Sequence, residues 1–227
     1  MQIQNQNAIA NPSVETVVTR VPDFEVTGTG EAAAWNAAPW LEMPRVGGSA
    51  AYRTRAKLLG SDTGLYFLVE CEDGKLACTM TRDFDFIFKE DVVEIFLQPD
   101  TAHPVYFEYE ISPLAVELPL LVSHDGRRFH GWLPFAYEGQ RRTRRATFVR
   151  GGRKESMAAC ERWSAEFFIP YALLAGLGNT PPAPGACWRG NLYRIDYDSG
   201  SPSQWAWCPD TGGNFHDFLN FGRLRFA

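Results

Sequence analysis

Along residues 52–58 the chain alternates without a break: Tyr52, Thr54, Ala56 and Leu58 fall on one side, Arg53, Arg55 and Lys57 on the other. Only an extended strand sends successive side chains to opposite faces, so this period of two constrains the fold more than any other feature. Turn-forming residues follow at Gly60-Ser61-Asp62-Thr63-Gly64, and residues 65–70 read as the returning arm of a hairpin. The same logic predicts strands at 92–98, 105–112, 143–149, 164–169, 192–197, 204–207 and 223–226. Many short strands punctuated by Gly and Pro read as a sandwich or barrel. One short helix is predicted, opening at Pro170, running through Tyr171-Ala172-Leu173-Leu174 and stopping near Gly176 or Gly178. No repeat or linker divides the chain, so the expected organisation is a flexible tail over 1–20 and a single domain over 21–227.

Charge narrows the function. The formal net charge of −5 argues against a nucleic-acid partner, which calls for a basic footprint. Arg141, Arg142, Arg144, Arg145, Arg150, Arg153 and Lys154 do cluster, but without stacking aromatics they read as a solvated hairpin. In that hairpin the basic side chains face water and Ala146 or Phe148 faces the core. No apolar run approaches the ~20 residues of a membrane span, so no membrane partner is expected. The first residues carry no basic or apolar export signal, which gives an intracellular reading by default. The five cysteines form no C-x-x-C pair and read as reduced, mostly buried thiols.

Motifs for chemistry are sparse. Gly28-Thr29-Gly30-Glu31-Ala32-Ala33 fits a loose dinucleotide fingerprint, but Pro39 and Pro44 cut short the helix it needs, so it reads as a plain loop. No G-x-S-x-G elbow and no H-E-x-x-H pair occurs. Carboxylates carry more weight. Glu94 alternates against Val93 and Ile95, and Glu108 and Glu110 alternate against Phe107, Tyr109 and Ile111. If those strands are neighbours, three acids share one face. Such a face suits sugar hydroxyls, and it also suits the carboxyl pair of a glycoside hydrolase, which is the alternative reading.

Several segments together resemble the family 9 carbohydrate-binding modules and their stand-alone family 9-like relatives. They are Leu65-Tyr66-Phe67-Leu68-Val69-Glu70-Cys71-Glu72-Asp73, then Asp91-Val92-Val93-Glu94-Ile95-Phe96, then Tyr106-Phe107-Glu108-Tyr109-Glu110-Ile111, then Glu166-Phe167-Phe168-Ile169-Pro170. The last runs from Asn191-Leu192-Tyr193-Arg194-Ile195-Asp196 through Trp205-Ala206-Trp207-Cys208-Pro209 to Phe215-His216-Asp217-Phe218.

The resemblance implies an all-β antiparallel β-sandwich of the DOMON-like, immunoglobulin-like type. It implies a non-catalytic carbohydrate binder whose aromatic side chains clamp a terminal sugar, and an extracellular setting. By position the clamp falls on Phe88 and Phe215, where the sugar-binding modules carry Trp. Glu94 falls on their hydroxyl-accepting acid, and Glu108 stands where they carry Arg, so Arg194 is expected to supply the cation. Glu110, Trp207 and His216 complete the expected ligand-binding set. No cofactor is required, and a structural Ca²⁺ held by loop acids, with Asp73, Asp83, Asp85 and Asp91 as candidates, is compatible with the family.

Overall fold

A computed structural model describes residues 14–209 and 214–227. They form fourteen strands in one continuous mixed sheet, with one short helix. One half runs β10 (Arg144–Arg150), β11 (Arg162–Pro170), β5 (Gly64–Glu72), β4 (Thr54–Gly60), with β2 (Leu41–Met43) paired to β4. The other runs β14 (Gly222–Phe226), β12 (Cys187–Asp196), β6 (Val92–Gln98), β7 (Val105–Ile111), β8 (Glu117–His124), β9 (Phe129–Pro134). β13 (Ser203–Ala206) pairs with β12 and carries β3 (Arg45–Gly47) at its outer side. The helix α1 (Tyr171–Leu174) follows β11 directly, beginning after Pro170.

The expected tail is corrected in part. Residues Glu15–Arg20 form β1, which joins the halves: its first residues pair with β14 and its last two with β4. Both pairings are parallel, so the sheet is mixed and continuous, not the purely antiparallel pair of sheets expected. Alternation buries Val18 at 1% exposure, and that apolar anchor is what holds an otherwise polar strand in place. The rest of the expected tail, residues 1–13, lies outside the described residues.

The sheet curls so that its halves enclose one core. Val93, Ile95, Phe107 and Tyr109 from one half meet Leu58, Phe67, Trp163 and Phe167 from the other. The Tyr109 and Phe167 rings lie 4.9 Å apart. Segments outside the strands then cover the outer faces. On one side Trp35 and Phe24 close over Tyr66, with the Phe24 and Tyr66 rings stacked at 4.1 Å. Glu166 pins that cover. Its fully buried carboxylate accepts the backbone N–H of Thr27 and Gly28 and the Trp35 indole N–H, at 2.7–2.9 Å. The glycine-rich loop reading of residues 28–33 is thus borne out, and Gly28 is required there: its φ is +88°, and a Cβ would meet the Thr147 backbone at 2.9 Å.

The basic hairpin has the opposite register to the one expected. On β10 it is Thr147 and Val149 that are buried, while Phe148 is 46% exposed. Arg145 is half-buried and paired with Asp83 and Glu117. Of the cysteines, Cys71, Cys78 and Cys208 are buried, Cys187 is exposed, and none forms a disulfide. No helix among the described residues is long and apolar enough to cross a membrane.

Candidate functional site

The site grows from the alternation of three neighbouring strands. On β6, Val93, Ile95 and Leu97 enter the core, so Glu94 points to the outer face. On β7, Phe107, Tyr109 and Ile111 do the same and leave Glu108 and Glu110 outside. The register sets Glu94 directly opposite Glu110, and on its other side Glu94 is opposite Tyr193 of β12. Three acids therefore share one face, as the sequence pattern predicts for adjacent strands. Directly opposed like charges repel, so the backbone alone makes this a costly arrangement.

That face is covered. Every residue of β6 is buried, and Glu94, Glu108 and Glu110 are 3%, 4% and 0% exposed. Two aromatic segments do the covering. Phe88 arrives from the 3₁₀ turn Ile87–Lys89, and Phe215 and His216 from the stretch before β14. Between them lies a small open cleft of about 180 Å³. Leu120 of β8, Trp132 of β9 and Ile195 of β12 complete its walls.

The aromatic groups differ in how they present themselves. Phe88 and Trp132 lie edge to face at 6.0 Å, with the 41%-exposed Phe86 packed against both. Phe215 is only 8% exposed, and one of its faces is stacked on Tyr193 at 4.0 Å. His216 is sandwiched between the rings of Phe129 and Phe96. Its Nδ1 is 2.7 Å from the Tyr106 hydroxyl and 4.0 Å from Glu108 Oε2. Burial pulls the imidazole down to about 4, so a neutral ring faces the acids.

Burial dominates the electrostatics of the acids. It raises the carboxyls of Glu94, Glu108 and Glu110 above the ordinary range, and repulsion from Glu108 adds to the rise at both Glu94 and Glu110. No lysine or arginine lines the cleft among the described residues. Glu108 Oε2 and both oxygens of Glu110 are buried without a hydrogen-bond partner. Elsewhere the chain satisfies its buried acids with care. Glu117 on β8 accepts Tyr109, Tyr137 and Thr143 hydroxyls and an Arg145 ion pair.

Two expected members stand elsewhere. Tyr193 and Ile195 face the cleft, so alternation turns Arg194, between them, to the opposite face. There it is fully buried, bonded through Nη1 to Thr54 Oγ1 and the Glu72 carbonyl and through Nη2 to Asp73 and Asp196. It cannot supply a cation to the cleft. Trp207 is 5% exposed and packs in the inner core, where its ring closes over Gly222. Phe88, Glu94, Glu108, Glu110, Phe215 and His216 do come together. Trp132 and Phe86 were missed: the stretch Phe129–Pro134 holds a Gly and a Pro and shows no clean alternation, so nothing marked it as a strand beside the acids.

The Arg194 surroundings form a second acidic cluster. Carboxylate oxygens of Asp73, Asp91, Asp196 and Asp198 lie within 4.8 Å of one another. Burial raises Asp73 to about 7 against the pull of Arg194, and raises Asp91 to about 8 with help from Asp73. One Asp198 oxygen is buried without a partner. Hard oxygen donors at such density fit a Ca²⁺ ion. Asp83 and Asp85, also expected as ligands, pair instead with Arg145 and Arg82.

Residues 26–126 match the family model described as carbohydrate family 9 binding domain-like, so the resemblance read from the sequence is borne out. The match takes in Phe88 and the three cleft glutamates, while Trp132, Phe215 and His216 lie beyond it. No curated protein matches. Among solved structures, a Bacteroides uniformis protein described as carbohydrate-binding superposes with a TM-score of 0.71 at 15% identity, over 94% of this chain and 99% of that one. A family 9 carbohydrate-binding module from Caldicellulosiruptor kristjanssonii, solved with glucose and with cellotriose, gives a TM-score of 0.66 at 16% identity. It covers 94% of this chain and 95% or 93% of the module. These likenesses establish the fold.

Proposed function

We propose that this family 9-like chain binds a carbohydrate end in the cleft between Phe88, Trp132 and Phe215, without catalysis. The observation that carries the reading is the pairing of an aromatic mouth with a polar floor. Phe88 and Trp132 offer apolar ring surface to sugar C–H groups, while Glu94, Glu108 and Glu110 offer oxygens to hydroxyls. The complexes of the similar module with glucose and cellotriose support the ligand class. The clamp is asymmetric: the open platform is on the Phe88 side, and Phe215 contributes the back wall.

Binding is favoured over hydrolysis by the state of the acids. A glycosidase keeps one carboxyl protonated and a second ionised across the scissile bond. Here burial pushes all three the same way, and no cation lines the cleft to hold one ionised. A Ca²⁺ ion would be held by Asp73, Asp91, Asp196 and Asp198, away from the cleft, where it would supply charge neutralisation and tie the end of β5 to the end of β12. Calorimetric titration against a panel of mono- and oligosaccharides tests the proposal. Saturable binding that is weakened by Phe88→Ala is the expected result; no heat with any sugar end would overturn it.

A further inference from the structure

We infer that the cleft selects an ammonium-bearing sugar, an amino sugar with a free amine, over its neutral counterpart; this deepens the carbohydrate-binding reading and rests on it. Among the described residues Glu108 Oε2, Glu110 Oε1 and Glu110 Oε2 are buried and accept no well-formed hydrogen bond; Glu110 is 0% exposed, with the Glu108 carboxyl and the Phe88 backbone beside it. Buried polar atoms left unpaired cost about 1–3 kcal/mol each, more when charged, and native proteins avoid them. This chain avoids them at Glu117 and Glu166, where each carboxylate accepts several named donors. Three of the six such atoms among the described residues belong to glutamates that line the cleft.

The missing partner is a donor and a cation. An alkylammonium carries three N–H groups, matching three buried acceptors that lack a donor, whereas a hydroxyl carries one. Among the described residues no Lys or Arg belongs to the cleft walls, and the one imidazole, His216, is held neutral by burial. A bare metal ion is the poorer match. Among the described residues the one group of three or more such side chains whose ligand atoms lie within 4.8 Å of one another is the aspartate cluster, outside the cleft. The walls suit an ammonium on an organic scaffold. Lys89, exposed at the rim, already rests its Nζ 5.6 Å and 5.8 Å from the ring centres of Phe86 and Phe88, which places these π faces within reach of a cation. A pyranose lying against Phe88 and Trp132 would direct a ring amine down to the floor.

The test compares methyl β-glucosaminide, methyl β-glucoside and the N-acetylated glucosaminide by calorimetry at pH 6.5, in two buffers of different ionisation enthalpy. The free amine is expected to bind about tenfold tighter than the other two, the gain of one charge-assisted hydrogen-bonded pair. Its binding should release protons to the buffer, as carboxyls raised by burial ionise around the cation. Glu110→Gln should erase the tenfold preference, bringing the free amine to the same affinity as the neutral glucoside; should that variant not fold, Glu94→Gln takes its place. Equal or tighter binding of the neutral glucoside overturns this inference and leaves the proposed function standing. Silence with all three sugars overturns both.

Discussion

Replacing Glu110 by Gln should stabilise the protein, and by an amount that depends on pH. Glu110 is fully buried, sits directly opposite Glu94 across β6 and β7, and finds no partner for either oxygen. Burial, then repulsion from Glu94 and Glu108, holds its carboxyl well above the ordinary carboxylate range. The sign follows from linkage. Below the unfolded value both states are protonated and the group contributes its full stability. As pH rises, the unfolded chain ionises while the folded one stays protonated, and stability is lost at about 1.4 kcal/mol per pH unit. At pH 6.5, about two units above the ordinary glutamate value of about 4.3, the loss is at most about 3 kcal/mol. Glutamine has the same shape and never ionises, so it should recover most of that. For a domain of this size the gain corresponds to a rise of about 6–12 °C in Tm. Near pH 4.5 the two proteins should melt together. His216, which burial pulls down to about 4, titrates in both proteins and cancels in the difference. Scanning calorimetry of both proteins from pH 4.5 to 8 makes the comparison. A variant no more stable than its parent at pH 6.5, or a gain that does not grow with pH, would refute the argument that burial without compensation governs these acids.

Three further outcomes follow from the same structure. Trp132→Ala should weaken sugar binding by about tenfold or more in the calorimetric titration, since a half-buried aromatic wall is removed, and should leave the inner core intact. Arg194→Met should destabilise by about 3–5 kcal/mol in denaturant melts, because Asp73 and Asp196 lose a buried counter-charge, yet leave sugar affinity unchanged because Arg194 faces away from the cleft. Millimolar Ca²⁺ should raise Tm and a chelator should lower it, and Asp198→Asn should blunt the response in a thermal-shift assay; indifference to both reagents would leave the aspartate cluster to Arg194 alone.

Correction of the Arg194 expectation shows where pattern reading stops. Arg194 is expected beside the acids because Glu108 stands where the family carries Arg, which leaves a cation to be supplied from elsewhere. The strand's own alternation argues otherwise: Tyr193 and Ile195 share the glutamates' side, so Arg194 does not. The strands missed by the sequence reading failed for a different reason. β8 runs Glu117-Leu118-Pro119-Leu120-Leu121-Val122, apolar at most successive positions, because β9 and the aromatic cover bury much of its outer face as well as its inner one. A strand buried on both faces loses the period that announces it. β1 was taken for tail because its only fully buried apolar side chain among alternating polar ones is Val18, and its pairing partners, β14 and β4, are remote in the chain.

By itself the sequence determined the class of fold, the strands that alternate, the helix at Pro170 and the fact that Glu94, Glu108 and Glu110 must share a face if β6 and β7 are neighbours. All of these are local: each follows from the geometry of one strand or one turn. Only the tertiary structure decided that the shared face would be roofed over, that Trp132 would come to it, and that Arg194 would be spent on a distant aspartate cage. Those outcomes depend on which remote segments cover a sheet, and desolvation, unlike periodicity, is a property of the whole packed chain. The same acids on an open face would be ordinary surface carboxylates. Buried and unpartnered, they define a site.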